Sequence, residues 1–146
     1  VVSRLKGVPW EQGDVVRGAD VFRARGCQTC HAVQGALGPN LAGTAARFSK
    51  EDLFEAIGNP SRDVAPPYRT TTYLMKDAQL HTGIVAFESA DGYIVQTGAT
   101  TTVRLASGDI AAQKPGTLSL MPNGLLDGLK PGEIADLYAY LRTLGK

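Results

Sequence analysis

Apolar positions in this chain repeat at two different intervals, and the change falls near residue 68. In "RGADVFRARG", residues 17–26, Val21 and Phe22 follow Gly18 by three and four places. That spacing predicts a helix with one buried face, closed by Gly26. "FSKEDLFEAIGNPS", residues 48–61, predicts a short helix with Leu53, Phe54, Ala56 and Ile57 on one side. Ser49 caps it, with Asp52 three places on, and Gly58 and Pro60 end it. The strongest helical pattern is the last, "LKPGEIADLYAYLRTLGK", with Ile134, Leu137, Tyr138, Leu141 and Leu144 in register. Pro131 opens it, Glu133 suits the positive end of the helix dipole, and Arg142 suits the negative end.

Between residues 68 and 116 the helical period disappears. "TTTYLM", "LHTGIVAFES", "YIVQTG" and "TTVRLA" are rich in Thr and Val and are separated by turn residues such as Asp91-Gly92. They predict a β-rich insertion of three or four short antiparallel strands within a single domain spanning residues 1–146. The first turn, Lys76-Asp77-Ala78-Gln79, lacks the glycine such a turn favours.

Composition narrows the class of protein. With 146 residues, 43% hydrophobic and 20% charged, the chain can bury one ordinary core. A net charge of +1 gives no global field for nucleic acid or for a membrane surface. Basic residues are concentrated in residues 1–50, where they form either a solvated face or a docking rim. No apolar run approaches the roughly 18 residues of a membrane span. Ser, His and Asp are scattered without the context of a catalytic triad, and no phosphate-binding glycine loop is present, so these residues predict no enzyme.

The chemistry concentrates in "RGCQTCHAV", residues 25–33. Structural zinc needs four ligands; Cys27, Cys30 and His31 offer three, and the last two are neighbours that share a tetrahedron poorly. A redox dithiol sits at a helix start after a strand, whereas a helix precedes Cys27 here. Cys-x-x-Cys-His is the haem attachment pattern: two thiols, three apart, form thioethers with the porphyrin vinyl groups, and the adjacent imidazole reaches the iron.

With "GALGPNLAG" (residues 35–43) and "SLMPNGL" (residues 119–125) following that motif, the chain resembles the class I cytochromes c. The order of motifs across residues 14–144 is similar to the C-terminal haem-binding domain of membrane-bound dehydrogenases from Planctomycetes and Verrucomicrobia. The resemblance implies a mainly α fold, three or more helices around one covalent haem c, with a small β insertion. It implies that the Pro39 carbonyl orients His31, that Leu41 packs on the haem, and that Met121 is the sixth ligand. It also implies that the last helix crosses the first near Gly18 and Phe22, through Leu137, Tyr140 and Leu141. Met75 reads as packing and His81 as the rival ligand. The implied function is outer-sphere electron transfer, as a relay between a dehydrogenase donor and a cytochrome or oxidase acceptor, in the periplasm or cell envelope. The alternative is a haem-based gas or redox sensor, or a weak peroxidase, with a labile sixth ligand.

Overall fold

Asp14 accepts a hydrogen bond from the Arg17 amide at 2.9 Å and so caps the first substantial helix. In the computed structural model, which describes residues 2–31 and 37–145, this helix is α2, Val15–Ala24. It follows the single turn α1, Val2–Leu5. Gly18 and Phe22 are its buried positions, as the apolar spacing requires. Gly26 adopts φ +75°, a conformation cheap only for glycine, and ends the helical run. One further turn forms α3, Cys27–Cys30, and α4 is Thr44–Arg47. Helix α5, Lys50–Gly58, starts at Ser49, whose Oγ accepts from the Asp52 amide at 3.1 Å. The last helix, α6, is Pro131–Leu141; Glu133 turns back to accept from the Lys130 amide at 2.8 Å.

The segments Val1–Pro60 and Pro122–Lys146 together form one compact unit, and Ser61–Met121 forms the other. In the first, α2 and α6 cross backbone to backbone. A methyl group on Gly18 would overlap the Asp136 carbonyl oxygen, and one on Gly13 would overlap that of Ala135. Asp136 is 4% exposed, yet its carboxylate is fully used. It accepts from the Asp14 amide at 2.7 Å and from Arg17 Nε and Nη2 at 2.9 and 3.1 Å. Those Arg17 hydrogen bonds hold the Asp136 carboxyl below the ordinary carboxylate range, against the opposing effect of burial. Phe22 meets Tyr140 at 5.1 Å with the rings tilted, and Trp10 meets Phe54 at 5.5 Å and Tyr138 at 5.3 Å. Each such aromatic pair contributes about 1 kcal/mol beyond the area it buries. Leu53, Phe54, Ile134, Leu137 and Leu141 complete this core.

The second unit is a five-stranded antiparallel sheet in the order β4-β3-β2-β1-β5. Its strands are β1 Thr71–Met75, β2 Leu80–Ser89, β3 Gly92–Gln96, β4 Thr102–Ala106 and β5 Ile110–Pro115. The long β2 serves two partners: Leu80–Leu74 pairing joins it to β1, and Ile84–Gln96 pairing joins it to β3. Tyr73, Met75, Val95 and Leu105 point to one side and make a separate small core. Gly92 sits beside the Leu105 carbonyl, where no side chain fits, at the expected Asp91-Gly92 turn.

This sheet corrects the mainly α expectation. Among the described residues helix occupies 36% and strand 22%, so the protein is a mixed α and β structure and not a mainly α class I cytochrome fold. The expectation failed because it treated the strands as a minor appendage and missed β5. "IAAQKP" has neither alternation nor a β-branched majority; its place comes from pairing Thr71–Pro115 through Leu74–Ala112 on the free edge of β1.

Three measurements check this packing. Gly18→Ala should cost roughly 3 kcal/mol in urea unfolding, because the helices must separate to admit the methyl group. Asp136→Asn should flatten the acid arm of the stability curve. The wild-type contribution is complete above the ordinary aspartate value of about 4 and is lost as pH falls through the lower folded-state value. Ala78 holds φ +72° in the β1–β2 turn. Replacing it with Gly should stabilise the protein by about 0.5 kcal/mol, strain relief outweighing the added chain entropy.

Candidate functional site

Gly26 turns the chain sharply at the end of α2, and the α3 turn starts at once. The Thr29 amide donates to the Gly26 carbonyl at 3.1 Å and the His31 amide to that of Cys27 at 3.0 Å. This single turn sets Cys27 and Cys30 three residues apart on the same side, with His31 just beyond. Arg25 Nη1 donates to the Asp127 carbonyl at 2.7 Å and ties the corner to the segment that leads into α6. Both thiols are free and half-buried, and Cys27 packs against the helical core.

The imidazole is held from two directions. His31 Nδ1 lies 2.8 Å from the Pro39 carbonyl oxygen. A carbonyl only accepts, so Nδ1 carries a proton, and in the neutral ring the lone pair then falls on Nε2, the nitrogen a metal would take. Gly38 supplies the second restraint. A methyl group there would come within 2.6 Å of His31 Cε1 and 3.1 Å of Nε2, so the ring rests on the glycine backbone. The Gly38 amide also donates to the Cys30 carbonyl at 2.8 Å. In the sequence Gly38 opens the Gly-Pro-Asn-Leu segment of the resemblance, where Gly before Pro reads otherwise as an ordinary turn; only the folded chain shows that it faces His31. Leu41 packs against the helical core, its carbonyl accepting from Thr44 Oγ1 at 2.8 Å. Residues 32–36, including Gly35 and Ala36 of "GALGPNLAG", lie outside the described residues.

The donor set discriminates between cofactors. Among the described residues no group of three or more His, Cys, Asp or Glu could enclose a metal ion, which leaves zinc without its tetrahedron. Burial pushes the Cys27 thiol up from its ordinary value, the opposite of what an attacking dithiol requires. Haem brings four nitrogens of its own and needs two thiols and one oriented imidazole. Cys27, Cys30 and His31 fit that group, with Pro39 holding the imidazole tautomer.

Met121 belongs to the sheet unit as its last residue, half-buried, with its amide on Ser119 Oγ at 3.1 Å. Met75 is 8% exposed in the core of the sheet. His81, half-buried on β2, pairs across to Tyr73. Several of the basic residues in the first fifty positions have structural partners. Arg17 binds Asp136, Arg23 binds Asp20, Arg4 donates to the Leu129 carbonyl and Arg47 to that of Ala42. No helix among the described residues is long and apolar enough to cross a membrane.

No curated protein matches the chain. Residues 13–82, just under half of it, match the family model described as cytochrome c oxidase, cbb3-type, subunit III. That similarity covers α2, the Cys27–His31 turn and Pro39, and supports a cytochrome c.

Proposed function

We propose that this protein is a single-haem c-type cytochrome that transfers electrons by outer-sphere exchange. The observation that carries the reading is the pairing of His31 Nδ1 with the Pro39 carbonyl, one residue beyond two free thiols on a single helical turn. Bound haem supplies a one-electron couple between ferric and ferrous iron. Cys27 and Cys30 hold it covalently. His31 presents Nε2 to the iron while Pro39 keeps the proton on Nδ1, which fixes the orientation of the ring. Gly38 sets how far the ring can lean.

Met121 is the proposed sixth ligand. It sits in a Met-Pro segment before the last helix, as the sequence resemblance implies, and the burial of Met75 in the sheet core supports Met121 over the other thioether. A thioether favours the ferrous state and raises the reduction potential. The donor is proposed to be a dehydrogenase and the acceptor a cytochrome or oxidase. Covalent attachment of this kind is carried out beyond the cytoplasm, which favours the periplasm or cell envelope.

The visible spectrum of the ferric protein tests the ligand set. Low-spin iron with the long-wavelength sulfur-to-iron charge-transfer band is expected. Met121→Ala should remove that band and lower the potential; an unchanged spectrum would move the ligand to His81. A high-spin spectrum in the unaltered protein, with ready binding of carbon monoxide, would favour the sensor or peroxidase reading. Gly38→Ala should displace the imidazole from Pro39 and give partly high-spin iron, and an unchanged spectrum and potential would show that Gly38 does not position His31.

A further inference from the structure

We propose that Thr70, Ser61 and Ser119 are positioning residues for Met121, and that the inserted sheet serves as the anchor of the methionine loop. The inference rests on the reading of Met121 as the sixth ligand.

After β5 the chain runs through Gly116 to Met121 without regular structure, so its backbone groups need partners from elsewhere. Those partners come from the start of the same unit. The Gly116 amide donates to the Thr70 carbonyl at 2.9 Å. Thr70 then grips the Leu118 carbonyl twice, by its amide at 3.3 Å and by Oγ1 at 3.1 Å. The Ser119 amide donates to Ser61 Oγ at 3.0 Å, and the Met121 amide to Ser119 Oγ at 3.1 Å.

Burial shows that the anchor is polar. Thr70 is 4% exposed, whereas Leu118, the large apolar side chain of the loop, is 62% exposed. The loop is therefore not held at Leu118 by apolar packing; it is held by hydroxyls and amides. A buried threonine with both its donors on one carbonyl is a costly arrangement to leave incomplete. The sheet brings the two ends of the unit together, since Thr71 pairs with Pro115 immediately beside the Thr70 clamp. The last link of the chain of bonds is the Met121 main chain itself. A thioether is a weak ligand for ferric iron, and fixing its backbone raises its effective concentration against competing ligands. This assigns the β insertion a task in redox chemistry: it stiffens the distal ligand.

The test uses the haem-loaded protein with Ser61→Ala, Ser119→Ala and Ser61→Thr, alongside Met121→Ala. Two quantities are read: the rate at which added imidazole binds the ferric haem, and hydrogen–deuterium exchange of residues 116–121. Loss of one hydroxyl should speed both by about fivefold, the worth of one ordinary hydrogen bond. Ser61→Thr keeps an acceptor and should restore the slow rates, which a general loss of stability would not do. If Met121→Ala accelerates imidazole binding while Ser61→Ala and Ser119→Ala alter neither quantity, the clamp is wrong and the ligand assignment stands. If exchange quickens in the serine variants but imidazole binding does not, the hydroxyls hold the loop without governing the ligand, and the proposal fails. If Met121→Ala itself leaves imidazole binding unchanged, Met121 is not the ligand and both readings fall.

Discussion

Two helices can meet at backbone distance only where side chains leave room, and at the crossing of α2 with α6 Gly18 provides that room. With no Cβ it lets the Asp136 carbonyl approach the helix directly. The buried Asp136 carboxylate then takes its three hydrogen bonds from the Asp14 amide and Arg17, which lie at the start of the opposite helix. Neither element suffices alone. An open crossing without Arg17 would strand a buried carboxylate, and the ion pair without Gly18 would hold the helices too far apart. The direction of α2 fixed in this way decides where its end at Gly26 falls, and with it the turn that carries both thiols and the imidazole.

From that corner outward, the haem-binding geometry depends on backbone more than on side chains. Gly26 breaks the helix with a left-handed turn, the Cys27 carbonyl takes the His31 amide, and the Cys30 carbonyl takes the Gly38 amide. Pro39 contributes a carbonyl and Gly38 contributes an absence of bulk. A cofactor that brings most of its own coordination sphere suits such a site, since the protein has to supply attachment and orientation and little else. With no four-ligand cage among the described residues and a Cys27 thiol pushed up by burial, the same residues are poorly suited to zinc or to dithiol exchange.

Much of the helical unit was legible in the sequence because its signals are local. Ser49 caps α5, Gly26 and Pro131 mark helix ends, and the spacing of Gly18 and Phe22 marks the buried face of α2. The pairing of Phe22 with Tyr140 follows from those faces once the helices are given. Two things were hidden for physical reasons. Strand β5 exists because β1 offers it an edge, and no property of "IAAQKP" announces that long-range pairing; overlooking it and the weight of the sheet produced the mainly α expectation. The contact between Gly38 and His31 is likewise a matter of tertiary approach, invisible in a Gly-Pro pair. Conversely, the turn lacking glycine at Lys76–Gln79 marked a real strain, since Ala78 occupies the left-handed region there.

If Cys27 and Cys30 hold one haem covalently, with His31 as its iron ligand, the mass of the intact protein carries the adduct. The protein should be produced in cells able to mature c-type cytochromes, purified, and extracted with acidified organic solvent before it is weighed. The expected mass equals the polypeptide plus one haem, unchanged by extraction, with loss of that adduct when both Cys27 and Cys30 are replaced by Ala. A protein that keeps the bare polypeptide mass under those conditions, or that releases its haem to the solvent, would contradict covalent attachment.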